Sequence, residues 1–225
     1  MRRIIDYSLC LVTDSRISLP RTVEEVIELS VRGGVTIVQL REKECSTREF
    51  IERARRVKNI VHSHGIPLII NDRVDVALAS GADGVHIGQQ DMSARDARYL
   101  MGPDAIIGFS VETMEQAAEA EKLDVDYLGV SPIFPTPTKT DTATEWGIEG
   151  LHALRLQTRN VLVAIGGINL SNAGVVIESG ADGLAVVSAL CAAADPEGTS
   201  RKFRDIIEEK RQKKKGAGDE TLSNR

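Results

Sequence analysis

Short apolar runs alternate with longer amphipathic ones along the whole chain. The runs YSLCLVTD, TIVQLREK, PLIIND, GVHIG, AIIGFS, YLGVSP, LVAIGG and GLAVVSAL read as strands. Between them, RTVEEVIELSVRGG, STREFIERARRVKNIVHSHG, TMEQAAEAEKL and GIEGLHALRLQT repeat apolar residues every three or four positions, the period of a helix with one packed face. Strand followed by helix predicts βαβ units and a parallel sheet. Two helix ends echo each other, SGADGVHI at Ser80–Ile87 and SGADGLAV at Ser179–Val186, as expected of a repeated module. In each, one glycine closes the helix and a second lets the next strand start close by. Eight evenly spaced strands in little over 200 residues predict an α/β fold of the closed (β/α)8 TIM barrel type, a single domain over residues 1–212. An open doubly wound sheet is the alternative, but no GxGxxG follows the first strand.

Composition refines this picture. A chain of 225 residues with 42% hydrophobic content can bury a sizeable core. A net charge of −5 argues against a general nucleic-acid surface. The basic run KRQKKK follows RKFRDIIEE and reads as the cationic end of a terminal helix, complementing its dipole. Residues 213–225 bury almost nothing and are expected to be a disordered tail. No apolar run is long enough to span a membrane, and the N-terminal stretch reaches an acidic residue too early for a signal peptide, so a cytoplasmic protein is expected. Cys10, Cys45 and Cys191 are odd in number and lack metal-ligand spacing, which supports neither a disulfide framework nor a zinc site.

In such a barrel, chemistry resides at the C-terminal ends of the strands. Strand two ends in QLREK, where period-two geometry puts Gln39, Arg41 and Lys43 on one face and Val38, Leu40 and Glu42 on the other. Two inward cations call for an anion, or else for an internal salt-bridge network. Strand three ends at Asn71 and Asp72, and Asp91 follows strand four. Adjacent strands lie only ~4.8 Å apart, so the two carboxylates can share one hard cation, magnesium being the natural candidate. Alternatively each caps the helix that follows it.

Ser110 at the end of strand five offers a hydroxyl. Gly166 and Gly167 after strand seven, with the amides near Val187 and Ser188 after strand eight, form this fold's usual phosphate pocket or serve tight turning alone. The loop SPIFPTPTKTD, Ser131 to Asp141, lies between the two anion sites. His86 lies within strand four and reads as a packed core histidine. His62, His64 and His152 fall on helices or their ends, away from the strand ends. With no Ser-His-Asp order and no cysteine near a histidine, nucleophilic catalysis is not indicated.

The motifs LVTD, VQLREK, INDRVDVALASGADGVHIGQQD, IIGFS, GVSPIFPTPTKTD, AIGGI and AVVS, in this order from Tyr7 to Leu190, resemble the thiamine phosphate synthase family. The resemblance implies a magnesium-dependent transferase that joins 4-amino-2-methyl-5-hydroxymethylpyrimidine diphosphate to a thiazole phosphate and releases pyrophosphate. Loss of pyrophosphate would give a pyrimidine carbocation, which the thiazole nitrogen captures. It further implies that the segment Gln39, Leu40, Arg41, Glu42 and Lys43, with Asn71, Ser110 and Lys139, holds the pyrimidine diphosphate. Asp72 and Asp91 would hold magnesium. Thr136, Pro137, Thr138, Gly167, Val187 and Ser188 would hold the thiazole phosphate. Arg41, Lys43, Ser110 and Lys139 would act in catalysis. Glu112 departs from the histidine or other neutral residue that many members carry there.

The alternatives are a thiazole tautomerase of the same fold, a sugar-phosphate epimerase, and a non-catalytic sensor of thiamine precursors. The partners implied are small molecules, with no nucleic acid or membrane, and a homo-oligomer is compatible with the sequence.

Overall fold

A computed structural model describes residues 4–136 and 145–223, with side chains as far as 213. Eight parallel strands close on themselves: β1 (Leu9–Val12), β2 (Ile37–Leu40), β3 (Leu68–Asn71), β4 (Gly84–Ile87), β5 (Ile106–Val111), β6 (Tyr127–Val130), β7 (Leu162–Ile165) and β8 (Gly183–Val186). They pair in sequence order, and β8 returns to β1 with Cys10 opposite Ala185. The helices α1 (Val23–Arg32), α2 (Thr47–Ser63), α3 (Val74–Ser80), α4 (Ala94–Met101), α5 (Met114–Ala120), α6 (Gly147–Gln157) and α7 (Ala173–Glu178) follow β1 to β7. A short α8 (Ser188–Cys191) follows β8, and α9 (Pro196–Ser223) packs against both α1 and α7, completing the outer ring. The expected (β/α)8 barrel is thus the observed fold. The helix α9 continues past residue 212, where the sequence predicts the barrel domain to end.

Strand periodicity divides the core in two. Leu9, Leu11, Val38, Leu40, Ile70, Ile107, Leu128 and Leu184 face outward and pack with the helices in one large cluster. Cys10, Val12, Ile37, Ile69, Ile106, Tyr127, Val163 and Ala185 face inward and fill the barrel. The outward cluster supplies most of the buried apolar surface, at roughly 1.5–3 kcal/mol for each fully buried Leu or Ile. Helix starts are locally specified: Thr22 with Glu25 and Ser46 with Glu49 form capping boxes, and Ser93 and Thr113 cap α4 and α5.

The echoed SGADG segments belong to a device repeated around the barrel bottom. The residue before each even-numbered strand accepts a hydrogen bond from an amide at the start of the strand before it: Thr36 Oγ1 from Leu9 N at 3.1 Å, and Asp83, Asp126 and Asp182 Oδ2 from Leu68, Ile107 and Leu162 N at 2.8 Å each. Each aspartate also holds a basic side chain from the helix that leads into that odd-numbered strand. Asp83 pairs with His62 of α2 at 2.7 Å, Asp126 with Arg98 of α4 at 2.7 Å, and Asp182 with Arg155 of α6 at 2.9 Å. Each strap ties strand, helix and strand together, and so fixes the register that aims the opposite strand ends. No helix among the described residues is long and apolar enough to cross a membrane.

Candidate active site

At the C-terminal ends of the strands lies a cavity of about 800 Å³. Gln39, Arg41, Lys43, Asn71, Asp72, Asp91, Ser110, Thr136, Gly167, Val187 and Ser188 all line it, so residues far apart in the chain meet at one mouth. A second cavity, of about 400 Å³, opens at the other end beside Thr36, Pro67 and Arg204. There Arg204 is paired with Asp6 at 3.3 Å, and among the described residues no other charged side chain lines it.

Period two holds on strand two. Gln39 points inward and is 6% exposed, whereas Leu40 is fully buried in the outward core. Beyond the strand the same alternation persists: Arg41 and Lys43 line the cavity, while Glu42 turns away and binds Arg53 of α2 at 2.5 Å. Leu40 and Glu42 therefore have only main-chain groups to offer a ligand. The two cations do form salt bridges, Arg41 with Asp14 at 3.4 Å and Lys43 with Asp72 at 2.6 Å. Both expectations for this segment thus coexist. Lys43 is 53% exposed, so its pair is solvent-screened and open to exchange for a stronger anion. Arg41 is held in place by its own amide, which donates to Thr13 Oγ1 at 2.9 Å.

Neither carboxylate caps a helix. The residue at the start of α3 is Arg73, with no side-chain cap, and α4 is capped by Ser93, which accepts from Asp96 N at 3.1 Å. Asp72 adopts φ 63°, the one left-handed non-glycine residue among those described. Such a conformation costs of order 1 kcal/mol and clusters at functional sites. It is anchored by the Asp72 amide, which donates to the His86 carbonyl at 2.8 Å. Asp91 accepts from Gly88 N at 2.7 Å. Burial pushes the Asp91 carboxyl above its ordinary value, and the neighbouring Asp72 carboxylate pushes the same way, against the Gly88 amide and Lys43. Two like charges held together, one of them costly to ionise, are a donor set that fits a hard cation. Among the described residues no group of three or more His, Cys, Asp or Glu side chains converges for a metal, so a cation here would need further oxygens from a ligand or water.

On the far side, Gly166 and Gly167 have φ of 100° and 65°. A Cβ on Gly166 would lie 2.7 Å from Pro132 Cβ, and one on Gly167 2.7 Å from Phe134 Cβ. Close approach of the β6–α6 loop therefore requires both glycines, in addition to any ligand. That loop is pinned to the end of β7: Ile133 N donates to Ile165 O at 2.9 Å and Phe134 N to Gly166 O at 3.1 Å. Thr136 is carried to the cavity wall as a result. Pro137, Thr138 and Lys139 lie outside the described residues. Val187 and Ser188, at the start of α8, line the same wall, the usual phosphate position of this fold.

Sequence reasoning missed several cavity residues. His86, expected to be a core histidine, is 9% exposed and lines the cavity floor, with Nε2 2.8 Å from Ser110 Oγ and Nδ1 3.0 Å from Tyr127 Oη. Tyr127 begins β6 and points inward, yet in sequence it looked like one more apolar residue. Gln89 donates to the Ser110 carbonyl at 2.7 Å, and the Glu112 amide donates to Gln116 Oε1 at 2.7 Å, bringing Gln89, Glu112 and Gln116 to the rim. The run GQQD was the one signal for Gln89.

The family model described as thiamine monophosphate synthase matches residues 9–190. A thiamine-phosphate synthase of Albidiferax ferrireducens is 56% identical over 206 residues, covering 92% of this chain and 94% of that protein. One of Vibrio parahaemolyticus is 55% identical, covering 84% and 93%. The solved structure of a thiamine phosphate pyrophosphorylase from Pyrococcus furiosus superposes with a TM-score of 0.84 at 38% identity, covering 91% of this chain and 97% of that one.

Proposed function

This chain belongs to the thiamine monophosphate synthase family, and from that premise we propose that its cavity condenses hydroxymethylpyrimidine diphosphate with a thiazole phosphate, giving thiamine phosphate and pyrophosphate. The observation that carries the reading is a single cavity with a cationic and dicarboxylate wall on one side and a glycine-lined wall ending in α8 on the other. Two phosphorylated substrates need two such places, with their reacting atoms between them.

In the proposed reaction the bond from the pyrimidine methylene carbon to the diphosphate oxygen breaks, and its electron pair leaves with pyrophosphate. The ring nitrogen of the thiazole then donates its lone pair to that carbon. This nitrogen carries no proton, so no general base is required, in accord with a cavity that presents no histidine free for the purpose. Negative charge grows on the departing group, and Arg41, Lys43 and Lys139 are the cations assigned to meet it. Lys43 would exchange Asp72 for a phosphate oxygen. Asp72 and Asp91 would hold magnesium, whose contribution when bound is to neutralise phosphate charge. Gln39, Asn71 and Ser110 orient the pyrimidine diphosphate; main-chain groups at Gly167, Val187 and Ser188, with Thr136, Pro137 and Thr138, orient the thiazole phosphate. Two fixed phosphates hold the reacting atoms together and remove most of the entropic barrier. A cytoplasmic setting is part of this proposal.

Pure protein mixed with both substrates and magnesium should release pyrophosphate and thiamine phosphate in equal amounts. Binding of the product with no such release would favour a sensor, and interconversion of thiazole isomers without metal a tautomerase.

A further inference from the structure

A hydrogen-bonded chain crosses the floor of the cavity. Paired residues on neighbouring strands put Asn71, His86, Gly108 and Tyr127 in one row across β3 to β6. Gly108, between the imidazole and the phenol, has no side chain to separate them. A Cβ there would lie 2.2 Å from Tyr127 Cζ and 2.4 Å from His86 Nδ1, and one on Gly129 would lie 2.8 Å from His86 Cε1. Two adjacent strands have thus left room for one imidazole. It fills that room with both nitrogens in use, towards Tyr127 and towards Ser110.

We infer that His86 is a positioning residue, held between Tyr127 and Ser110, that fixes the Ser110 hydroxyl as a hydrogen-bond donor towards the substrate. The inference rests on the reading of Ser110 as a contact of the pyrimidine diphosphate. The direction of the chain follows from its buried end. Burial pushes the Tyr127 phenol well above its ordinary pKa, so it keeps its proton. His86 Nδ1 lies 3.0 Å from that phenol oxygen, within reach of its proton. Tyr127 then gives its own proton to His86 Nδ1. An imidazole accepting at Nδ1 carries its hydrogen at Nε2, and so donates to Ser110 Oγ. The Ser110 hydrogen is left to point into the cavity, where it selects an acceptor atom. A packed core histidine would need neither the inward position nor the two glycines.

The test is a double-mutant cycle read by steady-state kinetics with both substrates and magnesium. His86→Leu is expected to lower kcat about 10- to 100-fold, the range for a group that orients a ligand-binding residue, with the thiazole phosphate KM within about threefold. His86→Gln, which restores an N–H near the Nε2 position, should recover most of that loss. In a Ser110→Ala background, His86→Leu should cost less than about threefold more, because the hydroxyl it orients is gone. Equal losses in the two backgrounds, or no recovery by glutamine, would overturn the inference. If Ser110→Ala alone is as active as the wild type, the assignment of Ser110 fails as well, whatever the cycle shows. Should His86→Leu fail to fold, Tyr127→Phe replaces it in the same cycle. It is expected to cost about 3- to 10-fold with Ser110 present and little in its absence, and an equal loss in both would refute the chain.

Discussion

The straps beneath the barrel share one backbone bond but differ in the burial of their ion pairs, and this difference can be measured. At the second aspartate, Asp126 and Arg98 are 13% and 11% exposed, and one carboxylate oxygen accepts from both Arg98 Nη2 and Ile107 N. Asp126→Asn removes the charge and leaves one neutral oxygen for two donors. Removing one partner of a buried pair costs about 3–5 kcal/mol. Arg98 keeps the carbonyl oxygens of Gly102, Ala105 and Asp124, and the Asp124 carboxylate at 3.2 Å, so the lower end applies, about 3 kcal/mol. At the first aspartate, Asp83 faces His62, which is 40% exposed. The asparagine oxygen can still accept from Leu68 N, so Asp83→Asn should cost about 1 kcal/mol. For a chain of this size these losses correspond to about 6–12 °C and 2–4 °C in Tm. Urea and thermal unfolding followed by circular dichroism would measure both. Equal losses would show that the shared amide bond, and not the buried ion pair, carries the strap. A loss below about 0.5 kcal/mol for Asp126→Asn would refute the strap altogether.

Magnesium at a hundred times its Kd should stabilise the wild type by about 2.7 kcal/mol. Asp91→Asn should abolish that gain yet melt no lower without metal, since burial and Asp72 already disfavour the Asp91 charge; a large metal-free loss would mark Asp91 as structural. Gly167→Ala, which puts a Cβ 2.7 Å from Phe134 Cβ at φ 65°, should raise the KM for the thiazole phosphate by about tenfold or more. The KM for the diphosphate should stay unchanged, and equal shifts in both would refute the separation of the two walls. For Asp6, burial is outweighed by the Ser8 hydrogen bonds together with the Arg204 and Arg211 charges, so the carboxyl sits below its ordinary 3.8. The stability it contributes is present above that value and is lost as pH falls through the lower folded one. Asp6→Asn should therefore flatten that part of the acid limb of a stability profile, and an unaltered limb would refute the contribution. Lys139→Ala should lower kcat far more than it weakens thiazole phosphate binding in a titration, and equal losses would refute its assignment to the diphosphate.

A site residue was legible in the sequence where its placement is fixed within one strand. Gln39, Arg41 and Lys43 could be read from period two, because a β-strand alternates its side chains whatever it packs against. The same rule placed Leu40 and Glu42 on the far face, where they lie, although the segment resemblance had grouped them with the ligands. Asp72 and Asp91 could be expected near each other once the strand order was sequential. That neither is a helix cap was not legible, because caps depend on the local φ and ψ, and Asp72 turned out left-handed.

The sequence by itself determined the architecture: apolar runs of strand length, helices of one packed face and short connections leave few foldings other than a right-handed parallel barrel. It also determined which charges sit at the strand ends. Only the tertiary structure decided what His86 does, since its partners Tyr127 and Ser110 lie 41 and 24 residues away and meet it through the register of β4, β5 and β6 and the gap at Gly108. Periodicity is a property of one strand and can be read in one strand. A hydrogen bond across three strands depends on their relative registration and on the side chain that is missing between them, and no single segment contains that information.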